Sequence, residues 1–268
     1  MNVHIVTCGT SIIENYSRHP NIPSEDSRII MVDDEVLKRA SPKHEFFIRV
    51  YEFLKANPYD ASAELKAMKR FLEDKLVDEV YLYHTDTGKG LFCARIIEKF
   101  LTDVHRLRVE TIRVEGFGVE GFFEDGLINL LDKIIDKASR LVKAGNNVFL
   151  NATGGFKPEN AVLTTAASLL GIQNIYYIHE KFREHVNLPI LPLAIDQKYL
   201  KPLQELYNNH KKHGFTPLKT FTEQYSVNIF QNLKDRNLVI EENGKIKLRK
   251  WTYTILKYIL EQNQPQHK

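Results

Sequence analysis

The chain has 268 residues, 43% of them hydrophobic and 26% charged, which describes an ordinary globular protein of one large domain or one medium and one small. Its net charge of +3 is unevenly spread: residues 201–268 hold 12 Lys/Arg against 6 Asp/Glu (+6), residues 1–200 hold 25 against 28 (−3). Two cysteines, Cys8 and Cys93, exclude a disulfide framework and a zinc-binding spacing, and no apolar run approaches the ~18 residues that a membrane span requires. The short, polar N-terminus is no signal peptide, so a reducing cytoplasm is expected.

Val3 to Thr7 reads as a buried β-branched strand ending in the turn Cys8-Gly9-Thr10-Ser11. Residues 14–30 are polar, contain Pro20 and Pro23, and are expected to form a long surface loop, either a functional lid or simply disordered. Residues 33–56 read as helical with a break at Ser41-Pro42, and Asp60 to Lys75 as a helix starting near Ser62, Glu64 and Leu65. Val77 to His84 is a second strand, running into the polar turn Thr85-Asp86-Thr87-Gly88-Lys89-Gly90 and a helix from about Leu91 to Asp103. Leu107 to Val114 is a third strand, followed by a turn at 115–119 and a long amphipathic helix from Glu120 to Ala144.

The centre of the pattern is Asn151-Ala152-Thr153-Gly154-Gly155-Phe156-Lys157, which follows the strand Val148 to Leu150 and precedes a helix at 158–170. Two glycines permit a sharp turn and close approach of backbone to a ligand. The helix start favours an anion, Lys157 adds a positive charge, and Asn151 and Thr153 add neutral hydrogen-bonding groups. A strand–helix turn with a solvated lysine is the plainer reading of this stretch alone. Asn174 to Ile178 is a fifth strand, and Val186 to Ile195 offers a short further one.

Strand–turn–helix units in series indicate a parallel α/β sheet, doubly wound in the order 3-2-1-4-5. Strands 1 and 4 are then neighbours at the switch point. The turns Gly9-Thr10-Ser11 and Asn151 to Lys157 converge there, with Thr85–Gly90 beside them. No G-x-G-x-x-G follows the first strand, which disfavours a dinucleotide redox cofactor.

From Lys198 the pattern changes to helices at Tyr199–Lys212, Pro217–Tyr225 and Val227–Arg236, then a hairpin through Glu242-Asn243-Gly244 and a last helix from Trp251 to Glu261. This order describes a winged helix-turn-helix. Its second helix, Asn228 to Asp235, would enter a major groove, yet only Lys234 and Arg236 supply cations there. A packing or dimerisation module stands beside DNA binding, and a solvated basic face beside a nucleic-acid contact. Two domains are expected, 1–197 and 198–268.

Thr7-Cys8-Gly9-Thr10-Ser11 after the first strand and Asn151 to Lys157 after the fourth resemble the CRISPR-associated Rossmann-fold sensors, the CARF domains, and within them the branch with a winged helix and ring nuclease activity. The resemblance covers roughly residues 1–195. It implies a Rossmann-like fold and a homodimer that binds a cyclic oligoadenylate, most often cyclic tetra-adenylate, across its two-fold axis, a symmetry that four identical nucleotides in a ring can match. In ring nucleases the ribose 2′-hydroxyl attacks the adjacent phosphate, leaving linear di-adenylates with 2′,3′-cyclic phosphate ends; no metal and no other cofactor is implied.

On that resemblance Ser11 orients the 2′-hydroxyl or a phosphate oxygen and Lys157 stabilises the transition state. Gly9, Thr10, Thr85, Asp86, Thr87, Gly88, Lys89, Asn151, Thr153, Gly154, Gly155 and Phe156 line the ligand site. The Arg-x₄₋₆-His spacing of the effector ribonucleases is missing downstream of the sensor. His84 is a base or a hydrogen-bonded structural histidine. Asp86 and Lys89 contact ligand, or Thr87 merely caps a helix and Lys89 is solvated. Glu115 and Phe117 line an adenine pocket or belong to the core; His179 and Glu180 receive no role in the site, and Arg183 is a dimer or loop contact. The rival reading is a ligand-responsive transcription regulator without catalysis, and a third is a nucleotide-binding scaffold.

Overall fold

The computed structural model describes residues 1–32, 34–116, 123–154, 157–172, 174–178, 185–188 and 193–262. Two compact units are present, one of Met1–Ala167 with Ile172–Leu191, the other of Ser168–Gly171 with Pro192–Lys268.

The first unit begins with β1 (Asn2–Cys8), then the helices α1 (Ser11–Ser17), α2 (Ser24–Val32), α3 (Asp34–Arg39), α4 (Glu45–Ala56), α5 (Pro58–Ala61) and α6 (Ala63–Glu73). Next come β2 (Glu79–His84), α7 (Gly88–His105), β3 (Arg108–Arg113), α8 (Phe123–Lys143), β4 (Asn147–Asn151), α9 (Lys157–Leu169), β5 (Asn174–Ile178) and β6 (His185–Asn187). The strands form one sheet in the order β3-β2-β1-β4-β5-β6. All pairs are parallel except β5–β6. This is a Rossmann-like sheet with the expected order, closed at one edge by a short antiparallel strand.

β1 sits in the middle, and every residue from Val3 to Cys8 is buried. Val3, Ile5, Val6 and Cys8 are fully buried, as befits a parallel strand covered on both faces. The flanking β3 alternates exposed and half-buried residues, the pattern of an edge.

One expectation fails. Residues 14–30 do not form a long loop: they belong largely to α1 and α2, joined by a short turn. Ile12, Ile13 and Tyr16 share the inner face of α1, and α2 delivers Asp26, fully buried, to the Tyr16 hydroxyl (2.6 Å) and to the Arg49 guanidinium (2.5 and 2.9 Å). A few buried apolar residues and one ion-paired carboxylate hold a polar segment that has little periodicity. A smaller shift concerns α7, which begins at Gly88 rather than near Leu91 because the Thr87 hydroxyl accepts from the Gly90 amide and caps it.

The second unit contains α10 (Gln197–His213), β7 (Thr216–Pro217), α11 (Leu218–Tyr225), α12 (Val227–Asp235), β8 (Val239–Glu242), β9 (Lys245–Leu248) and α13 (Lys250–Gln262), with a three-stranded antiparallel sheet β7-β9-β8. The hairpin turns at Asn243 and Gly244, whose φ angles of 52° and 72° are the paired left-handed values a two-residue turn needs. Phe221, Leu233, Ile246 and Leu206 are buried at its centre. Among the described residues no helix is long and apolar enough to cross a membrane.

Candidate functional site

The turns after β1 and β4 meet at the carboxyl ends of these neighbouring strands. Thr7, at the end of β1, is buried, and its hydroxyl donates to the Gly154 carbonyl at 2.6 Å, with the Asn151 carbonyl at 3.3 Å. Gly154 lies so close to the first turn that a Cβ there would overlap the Thr7 carbonyl oxygen and sit 2.7 Å from the Gly9 nitrogen. Only glycine permits this approach.

Asn151, fully buried, shapes the second turn from within. Its side-chain oxygen accepts from the Thr153 amide (3.2 Å), and its amide donates to the Glu64 carbonyl (3.2 Å). The Thr153 hydroxyl in turn accepts from the Ile178 amide (3.2 Å) and ties the turn to the end of β5. Lys157 is the first residue of α9. Gly155 and Phe156 lie outside the described residues, as do Phe117, His179, Glu180 and Arg183.

A residue with no assigned site role lies beneath the first turn. Glu64, 1% exposed in the first turn of α6, accepts at Oε1 from the Gly9 amide (2.7 Å). At Oε2 it accepts from the Ser62 hydroxyl (2.8 Å) and the Ser11 hydroxyl (3.2 Å). Ser11 Oγ also accepts from the Ala63 amide (3.2 Å). Thr10 spends its hydroxyl proton on Glu14 (2.6 Å). Carboxylates of the protein itself therefore engage the Gly9 amide and both hydroxyl donors of this turn. In the sequence Glu64 resembles any acidic residue opening a helix; its role depends on the start of α6 abutting a turn more than fifty residues earlier.

The third turn is wired in the same way. The Asp34 carboxylate accepts from the Gly88 amide (2.6 Å) and the Lys89 amide (3.3 Å), occupying the start of α7. The Thr85 and Thr87 hydroxyls bond each other at 2.7 Å. Asp86 pairs with Arg113 at 2.5 Å, and that hydrogen bond above all holds its carboxyl below the usual carboxylate range. His84 donates from Nδ1 to the Thr85 carbonyl (2.8 Å), and burial lowers its pKa from the ordinary 6.5. It has the hydrogen-bonded, neutral character of a structural histidine. Glu115 uses its carbonyl to accept from the Asn129 side chain (3.0 Å).

Open α/β sheets of this kind receive ligands beyond the carboxyl ends of the strands at the switch point, which is where these two polar turns meet. Residues 59–191 match the family described as CRISPR-associated protein (Cas_APE2256), in line with the resemblance of its turns. The matched segment contains Glu64, the Thr85–Gly90 turn and Asn151 to Lys157; the Thr7–Ser11 turn precedes it. Among solved structures, protein VC1899 from Vibrio cholerae is similar at 9% identity and a TM-score of 0.35, the match covering 96% of this chain and 65% of that one. The chain thus spans just under two thirds of that protein's length, and a likeness at this level carries no argument.

Proposed function

We propose that the protein is a ring nuclease of CRISPR defence that binds a cyclic oligoadenylate, cyclic tetra-adenylate first among them, across a homodimer and cleaves it to switch the signal off. The observation that carries this reading is the joining of the Thr10-Ser11 turn to the Asn151–Lys157 turn through Thr7 and Gly154, with Ser11 and Lys157 on the two joined segments. The CRISPR-associated match over residues 59–191 supports it.

The chemistry is an intramolecular transesterification. A ribose 2′-oxygen attacks the adjacent phosphorus in line as the bond from phosphorus to the 5′-oxygen breaks. The 2′-proton ends on the leaving 5′-oxygen, and the products are linear di-adenylates with 2′,3′-cyclic phosphate ends. Water is not consumed and no cofactor is asked for. Ser11 holds the nucleophile and Lys157 offsets charge on the phosphorane. Positioning and electrostatics of this kind are the terms available without a strong general base.

A second reading has its own observation. The second unit runs helix, short strand, two helices and hairpin, the order of a winged helix-turn-helix, which supports a ligand-responsive DNA-binding regulator. Against it, Lys234 and Arg236 are the cations that its second helix and its end offer a duplex.

Incubation with cyclic tetra-adenylate in excess EDTA, products read by mass spectrometry, tests the proposal. Di-adenylate with a cyclic phosphate end from the wild type, lost in Lys157→Ala, is expected. A ring that stays bound and intact sinks the enzyme in favour of the regulator, whose further mark is salt-dependent duplex binding.

A further inference from the structure

We infer that Glu64 is a positioning residue that fixes the polarity of the Ser11 hydroxyl, so that Ser11 meets the ligand only as a hydrogen-bond acceptor. This rests on the ring nucleotide reading above. A serine hydroxyl has one proton and two acceptor positions. The proton of Ser11 goes to Glu64 Oε2 and one acceptor position to the Ala63 amide. What remains is a single acceptor position. A phosphate oxygen, itself an acceptor, has nothing to bond there. A ribose 2′-hydroxyl does: it donates its proton to Ser11 Oγ, which leaves its own lone pairs free to face phosphorus. Ser11 therefore reads the nucleophile and not the phosphate.

The polarity is held from below. Glu64 is locked by the Gly9 amide at Oε1 and by the Ser62 hydroxyl at Oε2, while Ser62 Oγ accepts from the Leu65 amide (3.2 Å) and so directs its own proton at the carboxylate. A carboxylate is acceptor-only. Neither Ser11 nor Ser62 has another use for its proton in this arrangement.

Glu64→Gln tests this at constant shape. The Gly9 amide demands an acceptor at the Oε1 position, so the glutamine must place its NH₂ where Oε2 stood. There it donates to Ser11, which is freed to turn its proton outward. The readout is binding, by calorimetry, of cyclic tetra-adenylate and of its analogue with every 2′-hydroxyl replaced by fluorine, which cannot donate.

Wild type is expected to prefer the ribose ring by about fivefold or more, the scale of one neutral hydrogen bond. Ser11→Ala is expected to bind both rings alike, and Glu64→Gln, whose outward Ser11 proton a 2′-oxygen or, more weakly, a fluorine accepts, to show a reduced preference. In turnover Glu64→Gln should raise KM by about the fivefold lost in binding and lower kcat as well, and the double variant should be no slower than Ser11→Ala. A ribose preference undiminished in Glu64→Gln overturns the inference alone. Binding of neither ring by wild type overturns the ring reading and this inference with it. Should Glu64→Gln fail to fold, as shown by its thermal melt, Ser11→Ala still decides: a retained ribose preference refutes the acceptor role.

Discussion

Thr7 and Gly154 close the two halves of the site onto each other: the threonine hydroxyl donates to the glycine carbonyl at 2.6 Å, and the threonine's own carbonyl occupies the space where a Cβ of residue 154 would stand. The contact joins residues 147 positions apart.

Gly154→Ala should therefore cost about 1–3 kcal/mol, the range for forcing atoms into a filled interior. Backbone lies on the far side of the clash, so the neighbour has little freedom to withdraw. Urea unfolding of the two proteins checks this, and a loss below about 0.5 kcal/mol would mean that the turns are not packed as described.

Lys157→Ala should reduce ring turnover on the order of a hundredfold or more, as removal of one transition-state donor does. Single-turnover rates measured in EDTA separate this from weaker binding. An equal fall in affinity with an unchanged rate of the bound ring would assign Lys157 to holding ligand only.

Stability should fall as pH drops from about 6.5 to 4, and His4 is the residue to examine. Burial lowers its pKa from 6.5 to about 4, while Nε2–H donates to the Leu76 carbonyl (3.3 Å) and Nδ1 accepts from Tyr176 (2.8 Å). Between these pH values the unfolded histidine binds a proton that the folded one refuses, so the unfolded state gains as pH falls. Below about 4 both forms are protonated and the slope ends. The full effect is about 3 kcal/mol. Urea unfolding at pH 7 and 4.5 should show a smaller difference in His4→Gln than in wild type.

Arg49→Leu should destabilise by about 3–5 kcal/mol, because it strands the fully buried carboxylate of Asp26. The double variant Asp26→Asn/Arg49→Leu should recover part of that loss. Thermal melts of the single and double variants give the comparison; no recovery would assign the cost to packing of the arginine stem.

Cys8 and Cys93 are both fully buried, and burial pushes both thiols upward. Native protein should react with a disulfide reagent only slowly, and in urea both thiols should titrate at once.

Much of the sheet was legible in the sequence. Val3–Thr7 and Val148–Leu150 are short apolar runs that end in glycine turns, and a series of strand–turn–helix units leaves few ways to order a parallel sheet. The helices at residues 11–32 were not legible, since Pro20, Pro23 and many polar residues interrupt any period, and their hold comes from Tyr16, Asp26 and Arg49 meeting in space. Of the site, the two turns were legible because glycine and hydroxyl residues mark them locally. Glu64 and Asp34 were not. Each acts on a turn 54 or 55 residues away, and a carboxylate near a helix start is commonplace.

The placement of β1 has a consequence for how the protein is made. The strand is synthesised before β4 yet lies beside it in mid-sheet, and their register pairs Asn2 with Asn147. A ribosome adding about 5–20 residues per second leaves one edge of an apolar strand unpaired for on the order of ten seconds. During that interval the nascent chain presents an open template to any neighbouring strand. Every chain that terminates early, before Asn147, keeps that edge and never acquires the second turn.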